Sequence, residues 1–241
     1  MMLAGGLSAT ARRWSAILLA LLAFASAAAA QTIADIPTSQ PPNLGDLKQQ
    51  ILEYQKSGAY DRDLAAVASA AQAYVEQRAG EAKNPALVLD IDETSLTNWP
   101  QLVANDFGYI PRGPCRLPEG PCSSHTWERT MRAKAIAPTL ALFNAAKGKG
   151  VSVFFITGRR EDQRWVTAAN LRGAGYRGWT GLMMRPAGDK RTVSEYKSGE
   201  RAKIEAKGYT IIANMGDQPS DLAGGHAERG FLLPDPFYRI P

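Results

Sequence analysis

Apolar and polar positions along the chain predict two helices, followed by an alternation of strands and helices. Apolar residues from Leu47 to Val75 recur at helical spacing, and Gly58 divides this stretch into two helices. Beyond Pro85 the pattern changes to short continuous apolar runs, which are typical of strands buried on both faces of a parallel sheet. These runs cover residues 86–89, 151–156, 181–184 and 209–215, with 229–233 as a fifth candidate.

Helical stretches separate the predicted strands at residues 138–147, 161–172 and 192–207. This alternation predicts a three-layer α/β/α Rossmann-like domain with a parallel sheet. Residues 95–136 do not fit it, because they hold five prolines, both cysteines and several aromatic residues, and are too long for a plain connection. The segment follows the carboxyl end of the first strand, where open α/β sheets bind ligands, and we interpret it as an insert over the site.

The first thirty residues have the pattern of an export signal. Arg12 and Arg13 precede a short apolar run, and a series of alanines ends at Ala30. The run is shorter than the roughly 20 residues that a membrane span needs, although a membrane anchor is the alternative interpretation. We therefore expect a signal peptide over residues 1–30, cleavage after Ala30, and a periplasmic or secreted protein. Residues 31–43, rich in Pro, Thr, Ser and Gln, predict an extended arm before a domain at 44–241.

The composition of the chain excludes two kinds of metal site and does not indicate a nucleic-acid partner. Two histidines and two cysteines among 241 residues exclude a four-thiolate zinc site and a di-metal phosphatase built on several imidazoles. The formal charge of +5 falls to +3 without residues 1–30, and such a weak, mixed charge does not indicate a nucleic-acid partner. We expect a small-molecule substrate, no nucleic acid and no membrane association after signal removal, and the oligomeric state stays open.

Polar residues lie at the carboxyl ends of three predicted strands, and these ends face one crevice in an open α/β sheet. Four carboxylates in one crevice repel one another unless a cation holds them, and all-oxygen ligation suits Mg²⁺. The absence of Cys and His from these motifs argues against zinc. The residues are Asp90, Asp92 and Thr94 after the first strand, Thr157 and Arg159 after the second, and Asp217 and Asp221 after the fourth.

These positions resemble the motifs of the haloacid dehalogenase superfamily. Residues 90–94, Asp-Ile-Asp-Glu-Thr, match its D-x-D-x-T signature. Residues 157–159, Thr-Gly-Arg, resemble its second motif, and residues 216–221, Gly-Asp-Gln-Pro-Ser-Asp, resemble its fourth, G-D-x-x-x-D. Over about residues 45–235 the chain is similar to plant-type acid phosphatases, vegetative storage proteins and bacterial acid phosphatases of classes B and C, that is, subfamily IIIB.

The third motif needs a choice between lysines, and one residue of the fourth motif departs from the plant members. The third motif is a single lysine, for which several lysines of residues 190–207 compete, and Tyr-Lys-Ser at 196–198 makes Lys197 the match. Pro219 departs from the plant members, which usually carry Trp there, so the branch stays open.

The resemblance implies a covalent mechanism, with Asp90 as the nucleophile that becomes an aspartyl phosphate and Asp92 as the general acid and base. It implies Mg²⁺ bound by Asp90, Asp217 and the main-chain carbonyl of Asp92, with Asp221 and Thr94 supporting this site. A carboxylate cannot approach a phosphate dianion unless cations neutralise both. The implied phosphate-binding residues are Thr157, Gly158 and Lys197. Arg159 and Arg185 are further candidates, which either bind phosphate or a substrate group or pair with a surface acid.

The expected activity is that of a Mg²⁺-dependent acid phosphatase acting on phosphomonoesters. Two alternatives are a non-catalytic storage or binding member of the same family and a phosphotransferase in which an alcohol replaces water. The aromatic residues Trp99, Tyr109 and Trp127 either stack on a leaving group or pack the insert onto the domain.

Cys115 and Cys122 predict a disulfide, with two buried free thiols as the alternative. Pro and Gly between them favour a tight reversal, and export supplies oxidising conditions. Because the pair lies in the insert, we expect it to shape the roof of the pocket more than to hold the domain together.

Overall fold

The computed structural model describes residues 39–240, and within this range it contains eight α-helices and seven strands. The predicted signal peptide and residues 31–38 of the arm lie outside the described residues. The helices are α1 (Leu44–Lys56), α2 (Ala59–Arg78), α3 (Trp99–Ala104), α4 (Ser124–Thr130), α5 (Ala137–Gly148), α6 (Arg164–Gly173), α7 (Val193–Ala206) and α8 (Pro219–Leu222). The strands are β1 (Pro85–Leu89), β2 (Leu96–Thr97), β3 (Lys134–Ala135), β4 (Ser152–Arg160), β5 (Gly181–Arg185), β6 (Thr210–Gly216) and β7 (Arg229–Leu232).

Five strands form a parallel sheet in the order β5-β4-β1-β6-β7. This confirms the predicted α/β fold, including the fifth strand. β1 lies at the centre between β4 and β6, so the carboxyl ends of these three strands are adjacent. The strand order places the motifs that follow them side by side.

Alternate residues of each central strand face two hydrophobic cores, one on each side of the sheet. Leu87 and Leu89 of β1 pack on the side of α2 and α5, whereas Val88 packs on the side of α7. Both faces are therefore covered, which is why the strands are continuous apolar runs in the sequence. At roughly 25 cal/mol per Å² of apolar surface, this two-sided burial is the main force that holds the layers together.

The helices at the start of the described region follow the predicted pattern. Gly58 separates α1 from α2 with a φ of +71°, a left-handed conformation that glycine adopts without a steric penalty. No helix within residues 39–240 is long and apolar enough to cross a membrane.

The structure corrects one boundary that matters for the site. β4 does not end at residue 156 but continues through Arg160, and the following helix begins as a 3₁₀ turn over Glu161–Gln163. Consecutive residues of the extended strand point to opposite faces, so Arg159 is buried while Arg160 is exposed.

The insert after β1 has a defined base and its own helices. β2 and β3 pair antiparallel where the insert leaves and rejoins the domain, and α3 and α4 lie between them. The predicted disulfide joins Cys115 and Cys122. Asn105, at the end of α3, bonds both the N–H and the carbonyl of Cys122, each at 2.8 Å, and so docks the disulfide loop onto the insert.

Candidate active site

A buried lysine bridges two aspartates at the carboxyl ends of β1 and β6. The Lys197 Nζ donates to Asp90 Oδ1 and, at 2.5 Å, to Asp221 Oδ1. Lys197 is on the first turns of α7, whose start is held by a capping box between Thr192 and Glu195. The helix start thus positions the ammonium group, and among the lysines that compete in the sequence it is Lys197 that reaches the aspartates.

The carboxylates outnumber this lysine. One oxygen from each of Asp90, Asp217 and Asp221 lies within 4.8 Å of the other two, and all three residues are buried. Burial raises the pKa of Asp90 to about 7 although Lys197 opposes the shift, and burial together with the charges of Asp90 and Asp221 raises the pKa of Asp217 well above its usual range. Lys197 keeps a raised pKa because these aspartates outweigh its own burial.

This donor set fits a divalent cation. Three buried carboxylates and one ammonium leave an excess of negative charge, and all the donors are oxygens, the ligands that Mg²⁺ prefers. Asp221 uses Oδ1 for Lys197 and Oδ2 for the N–H of Gln218 at 2.9 Å, whereas Asp90 Oδ2 has no hydrogen-bond partner among the described residues. Both oxygens of Asp221 are therefore engaged by the chain itself, whereas Asp90 keeps one oxygen without a partner in the described part of the chain.

Asp217 is held in place by two neighbours. Thr94 donates to its Oδ1 at 2.9 Å, and the side-chain amide of Gln218 donates to its Oδ2 at 2.7 Å. The bond from Thr94 joins the motif after β1 to the motif after β6. Gly216 is needed next to this aspartate, because a Cβ atom there would overlap the side chain of Asp221.

Asp92 forms a two-pronged ion pair with Arg159. The Arg159 Nη2 donates to Asp92 Oδ1 at 2.7 Å and its Nε to Oδ2 at 3.0 Å. Burial alone would raise the pKa of Asp92, but the charge and hydrogen bonds of Arg159 lower it overall. Asn98 adds a bond to Asp92 Oδ1 at 2.8 Å and accepts one from the Trp127 indole at 2.7 Å, which links the insert to this aspartate.

These groups open into one cavity of about 630 Å³. Its floor carries Asp90, Asp92, Lys197 and Asp217, and the insert and the C-terminal segment contribute to its walls. The cavity is large enough for a small phosphomonoester, since ligand pockets commonly measure about 300–1,000 Å³.

The remaining predicted phosphate-binding residues lie at the same strand end. Thr157 is fully buried and its hydroxyl accepts the N–H of Arg159 at 3.1 Å, whereas Gly158 and Arg159 line the cavity. Arg159 reaches Asp92, so the structure gives it a direct contact with the predicted general acid. Arg185 also lines the cavity.

The aromatic residues of the insert divide between packing and lining. Trp99 packs against Phe107 and Phe237, which is the packing alternative, whereas Trp127 is buried and also lines the cavity. Tyr109 is 80% exposed and lines the cavity, as does His125.

Gln218 and Glu128 belong to the site but were not predicted from the sequence. The Gln218 amide, besides holding Asp217, bonds Asp235 and accepts the N–H of Ile240 at 3.1 Å, which fastens the C-terminal segment beside the cavity. Glu128 of α4 bonds Gln163, and burial raises its pKa to about 7. No periodicity reveals such contacts, although the position of Gln218 inside the fourth motif was a usable signal.

A parallel α/β sheet with aspartates at the ends of adjacent strands, and a lysine from the helix that precedes β6, defines a protein of the haloacid dehalogenase type. Residues 10–241 match the family described as HAD superfamily, subfamily IIIB (Acid phosphatase), and the chain belongs to this family.

Similar proteins agree with this membership. The chain is 31% identical over 193 residues to Acid phosphatase 1 of Solanum lycopersicum, covering 79% of this chain and 73% of that protein. It is 35% identical over 157 residues to the Stem 28 kDa glycoprotein of Glycine max, covering 64% and 59%. The class C acid phosphatase of Bacillus anthracis has a similar fold, with a TM-score of 0.63 at 22% identity and coverage of 80% and 86%.

Proposed function

We propose that this protein is an exported Mg²⁺-dependent acid phosphatase that hydrolyses phosphomonoesters through an aspartyl phosphate on Asp90. The observation that carries the proposal is the placement of Asp90. Its carboxylate lies on the cavity floor, it is held through one oxygen by Lys197, and its other oxygen has no hydrogen-bond partner among residues 39–240. A nucleophile needs such a free, oriented oxygen.

The chain's own side chains account for the rest of the chemistry. Asp90 attacks phosphorus, and the bond from phosphorus to the leaving oxygen breaks. Asp92, in its protonated form, gives that oxygen its proton. Water then attacks phosphorus, the bond from phosphorus to Asp90 breaks and phosphate leaves, while Asp92 takes a proton from the water and returns to its starting form. Arg159 holds Asp92 through both carboxylate oxygens and favours the ionised form that accepts the proton from water. Lys197 neutralises part of the charge that gathers on Asp90 and the phosphoryl group.

Mg²⁺ would be held by Asp90, Asp217 and the main-chain carbonyl of Asp92, with Asp221 fixing Lys197 and the backbone beside it. When bound, it supplies positive charge that lets a carboxylate approach a phosphate dianion. The excess of buried negative charge among these aspartates supports this ligand set.

Export is a part of this proposal that rests on the pattern of residues 1–30. The disulfide between Cys115 and Cys122 agrees with an oxidising compartment. N-terminal sequencing of protein from the native host should find Gln31 first, and an intact Met1 on a membrane-bound form would contradict it.

The storage alternative has support from the comparisons, since relatives include Vegetative storage protein 1 of Arabidopsis thaliana, 31% identical over 155 residues. The intact set of aspartates and Lys197 favours the enzyme. A phosphotransferase would use the same residues, and the two differ only in whether an added alcohol accepts the phosphoryl group.

The test is hydrolysis of a phosphomonoester panel with Mg²⁺ and with EDTA, by the wild type and by Asp90→Asn. Asn fills nearly the same volume but cannot form the acyl phosphate, so turnover should disappear while the melting temperature stays close to that of the wild type. Asp61→Asn, an exposed carboxylate on α2, is the matched control and should keep full activity. Asp217→Asn should instead raise the Mg²⁺ concentration needed.

Two results would overturn this assignment. Retention of a tenth or more of wild-type kcat by Asp90→Asn would exclude the covalent mechanism. Absence of turnover on every phosphomonoester by the wild type with Mg²⁺ would favour the storage or binding alternative.

A further inference from the structure

Two arginines occupy neighbouring positions at the carboxyl ends of β4 and β5, beside the catalytic groups. Arg160 and Arg185 are register partners in the parallel pairing of these strands, and both line the cavity that contains Asp90. Neither forms a salt bridge with a carboxylate of the described residues. The two arginines bring two positive charges to the same cavity, and a bound anion would offset them.

The hydrogen bonding of this pair leaves donors available. Arg160 donates through Nη1 to the carbonyl of Pro186 at 3.2 Å. Arg185 donates through Nη2 to the carbonyl of Arg191, and its Nε is buried without a hydrogen-bond partner in the described part of the chain. The Asp189 carboxylate is engaged by Arg191, whose hydrogen bonds lower its pKa to about 2, and the charge of Arg185 adds to this shift without forming a salt bridge.

Two further arginines line the same cavity from other segments. Arg112 comes from the insert and Arg239 from the C-terminal segment, and neither has a salt-bridge partner within residues 39–240. The cavity therefore pairs a floor of carboxylates, Lys197 and the Arg159–Asp92 ion pair with walls that carry positive charge. Only the floor is accounted for by binding and transfer of one phosphoryl group.

We propose that Arg160 and Arg185 form a second anion site, which selects phosphomonoesters whose leaving group carries a carboxylate or a second phosphate. Guanidinium groups recognise both anions through paired N–H donors, so the shared chemistry is a planar or tetrahedral oxyanion. This inference rests on the proposed phosphatase function and names its substrate class. Arg112 and Arg239 add positive charge to the same cavity.

A matched substrate series tests the site. Glycerol 3-phosphate has an uncharged leaving group, 3-phosphoglycerate adds a carboxylate, and glycerol 1,3-bisphosphate adds a phosphate. The wild type should show a kcat/KM at least tenfold higher for one or both charged substrates, and the arm that shows the preference identifies the anion. Arg160→Gln/Arg185→Gln should reduce that preference about tenfold, which corresponds to about 1.4 kcal/mol.

Arg177→Gln is the matched control, because it removes an exposed arginine from the loop that precedes β5, at the opposite end of that strand from Arg185. It should leave all three kcat/KM values unchanged. Equal kcat/KM for the three substrates in the wild type, or a preference that survives the double variant, would refute the second anion site. If the double variant does not fold, Arg160→Gln alone should show the same change in part, since that side chain is exposed.

A separate measurement distinguishes failure of the site from failure of the proposed function. Calorimetric binding of the same three compounds to Asp90→Asn reports the anion preference without turnover. The site is supported if Asp90→Asn binds a charged compound more tightly than glycerol 3-phosphate and if the variant that also carries Arg160→Gln and Arg185→Gln does not. This holds even if the wild type hydrolyses none of the three compounds. Equal binding of all three compounds refutes it whatever the turnover.

Discussion

Replacement of Lys197 by Met tests whether its ammonium group offsets the repulsion between the buried carboxylates. Met has a similar length and no charge, so the packing around the side chain is largely kept. The lysine is 4% exposed and bonds both Asp90 and Asp221. At an effective dielectric constant of about 20, two carboxylate charges within 4.8 Å of each other repel by at least about 3.5 kcal/mol, and the ammonium offsets this repulsion.

We therefore expect Lys197→Met to lower the free energy of unfolding in EDTA at pH 8 by about 3–5 kcal/mol, the usual cost of removing one partner from a buried ion pair. Lys203→Met is the matched control on the same helix. Its side chain is 62% exposed, and its loss should stay below about 0.5 kcal/mol. Urea denaturation followed by circular dichroism measures both.

The loss of unfolding free energy in Lys197→Met should be larger at high pH than at low pH. The pKa of Asp90 is raised by burial to about 7 even with the lysine present, and removal of the lysine raises it further. A carboxyl whose pKa is raised in the folded state binds its proton more tightly there, so its destabilising effect fades as the pH falls below that pKa. Lys197→Met should thus lose less stability at pH 5 than at pH 8.

The double variant Lys197→Met/Asp221→Asn completes the cycle. It removes one of the carboxylates along with the lysine, so it should be at least about 1 kcal/mol more stable than the sum of the single changes predicts. A loss below about 1 kcal/mol for Lys197→Met, or an equal loss at both pH values, would refute the idea that this ammonium offsets the buried carboxylates.

Two further predictions concern the insert. Asn98→Leu removes the bonds that join Asp92 to the Trp127 indole, so kcat should fall more than tenfold with KM little changed, and a shift in KM alone would contradict a role in positioning Asp92. Reduction of the Cys115–Cys122 disulfide should lower Tm modestly, because closing so short a loop contributes roughly 2–2.5 kcal/mol to stability. Scanning calorimetry with and without reductant measures the change in Tm. Complete unfolding on reduction would place the disulfide in the core.

The sequence alone determined those features that depend on local patterns. Strands β1, β4, β5, β6 and β7 could be predicted from apolar runs in the sequence, because both faces of the sheet are covered and buried strand residues are apolar. The break at Gly58 and the position of Asp90 directly after β1 followed in the same way. The disulfide was predictable too, because its two cysteines are seven residues apart with Pro and Gly between them.

The tertiary structure alone decided which side chains meet. Lys197 is 107 residues from Asp90, and Arg159 is 67 residues from Asp92, so only the order of strands and the placement of α7 bring each pair together. The contact of Gln218 with the C-terminal segment likewise joins residues that no period relates. Periodicity records which face of an element is buried, whereas ion pairs and cavity walls depend on how elements pack, and that information is spread over the whole chain.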